Sequence, residues 1–239
     1  MNDGCERIFG RLKNKEFNIP LGTSIAKTNS RETAEIEAGI NDYFKAYKTM
    51  SEIGDYATIN ISCPNAFGGE PFTDPIKLES LLKKIFEIQK KKPVFLKLSP
   101  DLNEAETDAI LEVCKKYPVD GFICSNSTKK RANIIDKDLP EKGGISGKPM
   151  EELSNRQISY IYRETGRKYV IIGCGGVFSA EDAYKKIKLG ASLVQLISGM
   201  IYEGPQLIGA INKGLKRLLE KDGFDNISQA IGVDNGGRN

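Results

Sequence analysis

Histidine is absent from the 239 residues. That absence removes the Ser-His-Asp and Cys-His nucleophile systems, the imidazole general base and the commonest zinc ligand. Proton transfer is left to Cys, Lys, Tyr, Asp or Glu. Cysteine is sparse: Cys5, Cys63, Cys114, Cys124 and Cys174 are odd in number, widely spaced and form no C-x-x-C pair. They point to free thiols in a reducing compartment rather than to a disulfide framework or a zinc site. No apolar run reaches the roughly eighteen residues of a membrane span, and no apolar segment follows the N-terminal basic stretch as in a secretory signal. A dominant charge sign is also missing. Lys plus Arg number 35 against 32 Asp plus Glu, a net charge of +3 with both signs scattered, which is no nucleic-acid footprint.

With 39% hydrophobic and 28% charged residues the chain can bury a sizeable core as one domain, or two at the outside. Six short β-branched apolar runs are predicted as strands, at 18–25, 56–62, 93–98, 121–125, 169–173 and 192–197. Helical periodicity fills the intervals at 32–53, 75–91, 103–116, 151–165 and 179–189, with a last helix over 205–221. Continuous runs such as Val94-Phe95-Leu96 and Val170-Ile171-Ile172 imply burial on both faces, as in an α/β barrel or a doubly wound sheet. The Gly/Pro/Asn-rich segments follow strand C-termini, where a barrel gathers its active site, although a doubly wound sheet also binds ligands there. A barrel of this kind has eight strands; six precede the last helix.

The stretch Asn60-Ile61-Ser62-Cys63-Pro64-Asn65 ends a strand in a thiol flanked by amides. Cys63 by itself reads as buried filler, but an Asn inside an apolar strand implies a polar ligand or network. Lys97 interrupts Val94-Phe95-Leu96-Lys97-Leu98, either snorkelling to solvent or facing a bound anion. Ser125-Asn126-Ser127-Thr128 closes the next strand with four hydrogen-bonding residues, which also suit an ordinary turn. Gly173-Cys174-Gly175-Gly176 lacks the third glycine of a dinucleotide fingerprint. A barrel phosphate site, built from Gly175-Gly176 and Ser198-Gly199-Met200, fits better.

Taken together, six blocks resemble the dihydroorotate dehydrogenases, flavin mononucleotide (FMN) enzymes of pyrimidine synthesis: 22–27, 60–65, 97–101, 125–127, 143–147 and 173–204. The resemblance implies that Cys63 is the catalytic base and that Asn60, Asn65, Asn126 and Ser127 hold the orotate ring. It implies flavin contacts from Ser24, Asn60, Lys97, Ser125, Gly147, Gly176, Ile197 and Ser198. Ser24 stands where many members have Asn, and Ile197 replaces a frequent Tyr. Cysteine is the usual base of the soluble class, whereas 143–149 and Tyr202-Glu203-Gly204-Pro205 resemble the quinone-linked class. The implied electron acceptor is therefore a quinone, with fumarate or NAD as alternatives.

The family carries two further strands before residue 17. The expected fold is thus an α/β (β/α)8 barrel lacking its first two strands: a leader over 1–16, a partial flavin-binding barrel over 17–221 and a polar tail over 222–239. The expected reaction is FMN-dependent oxidation of dihydroorotate to orotate, in the cytoplasm or peripheral at the inner face of the cell membrane. The alternatives are a non-catalytic or incomplete fragment of such an enzyme, and a related flavin barrel acting on another pyrimidine.

Overall fold

The computed structural model describes residues 3–63, 66–131 and 143–236. They form two compact units, one from the residues up to Lys97 together with Asn103–Asp120, the other from Leu98–Leu102 and the residues from Gly121 onward.

In the first unit β1 (Gly22–Ala26), β2 (Tyr56–Asn60) and β3 (Val94–Lys97) pair in parallel in chain order. Parallel neighbours need long crossovers, and here these are α2 (Ile36–Met50) and α3 (Pro75–Ile85). Asp74 starts α3 by accepting from the N–H groups of Ile76 and Lys77, with Pro75 at the first helical position, where its missing donor costs nothing. Leu78, Leu81, Leu82 and Ile85, recurring at helical spacing, form its fully buried face. After β3 comes α4 (Glu104–Cys114), opened by an Asn103–Glu106 capping box. At the front lies α1 (Cys5–Leu12), in the segment expected as a leader.

The second unit repeats the scheme with β4 (Gly121–Cys124), β5 (Val170–Cys174) and β6 (Leu193–Gln195). Its helices are α5 (Glu151–Thr165), α6 (Ala180–Lys188), the short α7 (Ser198–Glu203), α8 (Gln206–Asp222) and α9 (Ile227–Ala230). Val177, Ala183, Leu207 and Ile211 form one core cluster, and Tyr184, Ile187 and Ala230 another.

Several boundaries differ from expectation for local reasons. β1 begins at Gly22 rather than residue 18, because Pro20 has no N–H to give a ladder and the Leu21 N–H donates to Asp55 Oδ2 at 2.7 Å. The helix expected over 32–53 is interrupted at Glu35, whose ψ of 137° is extended, between a 3-10 turn and α2. α3 stops at Ile85, short of the lysine run that precedes Pro93. The segment after α8 contributes Ala230, fully buried, and Phe224, Ile227 and Ile231 pack against that second cluster.

Candidate active site

In the first unit the parallel register aligns Ala26 with Asn60 and Asn60 with Lys97, so the three side chains lie in a row on one face at the strand C-termini. The ammonium of Lys97 makes no hydrogen bond or ion pair among the described residues. Below it, Ser62 is fully buried and donates through Oγ to the Lys97 carbonyl at 2.8 Å, which ties the end of β2 to β3. Tyr43, on α2, donates to the Asn60 carbonyl at 2.6 Å, and burial pushes its phenol well above the ordinary value.

Cys63 follows directly, partly exposed and in no disulfide. The chain beyond it is held by side chains of the β1–α2 connection. Lys27 Nζ donates to the Phe67 carbonyl at 2.8 Å, and Asn29 Oδ1 accepts from the Phe67 N–H at 2.7 Å. Both backbone polar groups of one residue are thereby clamped, and the Arg31 guanidinium lies 6.0 Å from the Phe67 ring centroid. Lys27 is buried, which pushes its ammonium below the usual lysine range, while the charges of Asp42 and Cys63 act in the opposite direction. Asn65 lies outside the described residues. Losing the Lys27 clamp removes one charge-assisted hydrogen bond of about 1.5–3 kcal/mol. Lys27→Met is therefore expected to accelerate amide exchange at 68–70 by roughly tenfold or more, read by mass spectrometry, with β2 and β3 unchanged.

Ser24 sits on β1 in register with Thr58, on the face that also carries Asn60. It lines a cleft of about 830 Å³ together with Leu21, Lys27, Asp42 and residues of α1. Ala26, at the near end of the row, borders that cleft, whereas Cys63, Asn60 and Lys97 do not.

In the second unit the residues after β4 make a sharply hydrogen-bonded corner. Ser125 is buried, its N–H donates to the Cys174 carbonyl at 2.8 Å, and its Oγ donates to Gln157 Oε1 at 2.6 Å. Asn126 donates its N–H to the Leu98 carbonyl at 2.9 Å and accepts the Ser127 N–H on Oδ1 at 2.9 Å. Thr128 pairs with Ile145, which brings the Gly-rich segment alongside. There Gly147, at φ 81°, approaches Ser198 so closely that a Cβ would stand 3.4 Å from the Ser198 Cβ, and Ser146 and Ser198 share a hydroxyl hydrogen bond at 3.0 Å. Gly176, at φ 73°, leaves no space for a side chain: a Cβ would lie 2.5 Å from Glu151 Cβ. Ile197, immediately before α7, is 64% exposed. A side chain at position 147 would thus touch Ser198, and Gly176 abuts the start of α5.

The chemistry of each unit, taken by itself, suits a part of a flavin nucleotide: in the second, a glycine-lined backbone with a serine hydroxyl suits a phosphate, and in the first, Lys97, whose ammonium has no partner among the described residues, suits a ring that gains negative charge. Among the described residues there is no cluster able to hold a metal ion, and no helix is long and apolar enough to cross a membrane. Sequence reasoning missed Lys27, Asn29, Ser154, Gln157 and Lys186. The available signal was polar residues on otherwise apolar stripes, Ser154 and Gln157 beside Ile158 and Ile161 above all.

Parallel strands joined by helices, with polar and glycine residues beyond the strand C-termini of each unit, place the fold in the α/β-barrel class. The family model for dihydroorotate dehydrogenase matches residues 1–219, and the chain belongs to that family. Proteins named dihydroorotate dehydrogenase (quinone) from Haloarcula marismortui and Trichodesmium erythraeum are 38% and 36% identical. The first match covers 98% of this chain and 65% of the relative, the second 93% and 61%. The chain therefore spans somewhat under two thirds of the length of these curated relatives. The crystal structure of dihydroorotate dehydrogenase from Eimeria tenella in complex with ferulenol is 27% identical, superposes with a TM-score of 0.85, and is matched over 98% of this chain and 67% of its own. The fold class expected from the sequence, a TIM-type barrel represented by six β/α units, is the one found.

Proposed function

We propose that the chain carries the proton-abstracting and flavin-holding residues of an FMN-dependent oxidation of dihydroorotate to orotate, with a quinone as the final acceptor. The observation that carries this reading is the row at the strand mouths in a member of this family: Asn60, with a partly exposed thiol three residues further on, stands beside Lys97, whose ammonium has no partner among the described residues. FMN, when bound, supplies the acceptor for a hydride. Cys63 Sγ, as the thiolate, takes a proton from the dihydropyrimidine ring and becomes the thiol, and Asn60, Asn65, Asn126 and Ser127 orient that ring through their amide and hydroxyl groups. Lys97 holds a fixed positive charge toward the flavin ring, with Ser24 and Ser125 as its polar neighbours in role. On the second unit Gly147, Gly176, Ile197 and Ser198 present backbone and hydroxyl donors to the flavin phosphate side.

The quinone follows the names of the relatives, and nothing here favours fumarate or NAD. Because quinones dissolve in lipid, reoxidation belongs at a membrane surface. Titration with FMN, followed by flavin fluorescence, is expected to saturate at one flavin per chain; failure to saturate would overturn the reading. In stopped-flow reduction by dihydroorotate, Lys97→Met is expected to be slower by about 10²–10³-fold, the cost of losing one preorganised stabilising group. Its substrate affinity should change far less, since charge develops only during transfer. An unaltered rate would assign Lys97 to solvent.

A further inference from the structure

Helices α5 and α6 carry polar side chains that the proposed reaction does not use. Lys186, on α6, is fully buried, although lysine is almost never buried without a partner charge. Its ammonium donates to Ser154 Oγ at 2.9 Å and to Asn155 Oδ1 at 2.8 Å, both on α5. No carboxylate forms an ion pair with it among the described residues. Room for its stem is left by β5: a Cβ on Gly173 would stand 3.1 Å from Lys186 Cδ. Ser154 Oγ, having accepted from the ammonium, donates to the Cys124 carbonyl at 3.0 Å. Cys124 is the last residue of β4, and the corner 125–127 begins there. One turn along α5, Gln157 takes the Ser125 hydroxyl and donates through Nε2 to the Ser99 carbonyl at 2.8 Å. The buried face of α5 thus grips the corner at two points, and the first is charged.

An apolar side chain in that space would avoid the cost of desolvating a cation. What the cation adds is a polarised Ser154 hydroxyl, a stronger donor than one bound to a neutral group. We propose that Lys186 is a positioning residue, which acts through Ser154 on the Cys124 carbonyl to fix the Ser125–Asn126 corner. What that corner touches rests on the proposed function; the linkage itself does not.

The reporters are the Ser125 and Asn126 amides, bonded to the carbonyls of Cys174 and Leu98. Hydrogen exchange of the full chain without flavin, read by mass spectrometry, is expected to be about tenfold faster at 124–127 in Lys186→Met and in Ser154→Ala than in the parent. Ser154→Thr, which keeps the hydroxyl, should retain the parent pattern, an outcome that general loosening would not produce. Unchanged exchange at the corner in Ser154→Ala, or equal acceleration across the whole second unit in both variants, would overturn the proposal. Should Lys186→Met fail to fold, the Ser154 pair decides alone. FMN titration of the same proteins is a separate arm. A parent that binds no flavin sinks the functional reading and leaves the exchange result to judge the linkage, whereas a binding parent should lose affinity about tenfold in Ser154→Ala.

Discussion

Cys63→Ala is expected to lower the rate of flavin reduction by dihydroorotate by about 10²–10⁴-fold, the range for loss of a positioned general base. The size follows from what the chain lacks. With no histidine, no imidazole can take over the proton, and Cys63 lies three residues beyond the end of β2, next to the buried Ser62. Partly exposed, Cys63 contributes little to the core, so the same substitution should leave thermal stability and FMN affinity nearly unchanged. Buried filler would behave in the opposite way, losing stability and keeping the rate per bound flavin. Cys63→Ser should fall between the two, because a hydroxyl is a weaker acid than a thiol and a poorer source of the basic form. Stopped-flow reduction, normalised to bound flavin, distinguishes these outcomes. Equal rates for the parent and Cys63→Ala would remove the thiol from the mechanism.

That Cys63 and Lys97 stand out in the sequence as candidates, whereas Lys27 and Lys186 do not, has a physical cause. A polar residue that breaks an apolar strand is conspicuous, since β2 and β3 are largely buried runs of five and four residues. Lys186 instead sits in Tyr184-Lys185-Lys186-Ile187-Lys188, where three lysines look alike and only the helix phase places the middle one beneath Gly173. Lys27 binds the carbonyl of Phe67, forty residues on, and Gln157 binds that of Ser99, fifty-eight residues back. Neither bond leaves a local pattern. Strand existence was legible because burial on both faces dictates composition. Strand ends were less so: Pro20 and the Leu21–Asp55 bond set the start of β1, and that bond joins distant residues. The break at Glu35 was hidden by periodicity that continues through it.

The stability of the protein is expected to rise with pH between about 8 and 10.5 relative to that of Lys186→Met, by about 3 kcal/mol over the interval. Burial pushes the Lys186 ammonium from its ordinary 10.5 down to about 8. The groups facing it, Cys174, Glu151, Asp182 and Cys124, act the other way and do not offset the burial. The unfolded chain keeps its proton up to the ordinary value, so between the two values it binds more protons than the folded chain, and stability increases with pH. Below about 8 both states are charged and the full desolvation cost is present; above 10.5 both are neutral and it is gone. At roughly 1.4 kcal/mol for each pKa unit the interval amounts to about 3 kcal/mol. Buried acids pull the total the other way, Cys114 among them with its thiol pushed up to about 12, but both proteins carry them and the difference cancels them. Urea unfolding of the two proteins at pH 7, 8.5 and 10 gives that difference directly. A constant offset across the three would mean that Lys186 stays charged in the fold, held by a partner stronger than Ser154 and Asn155.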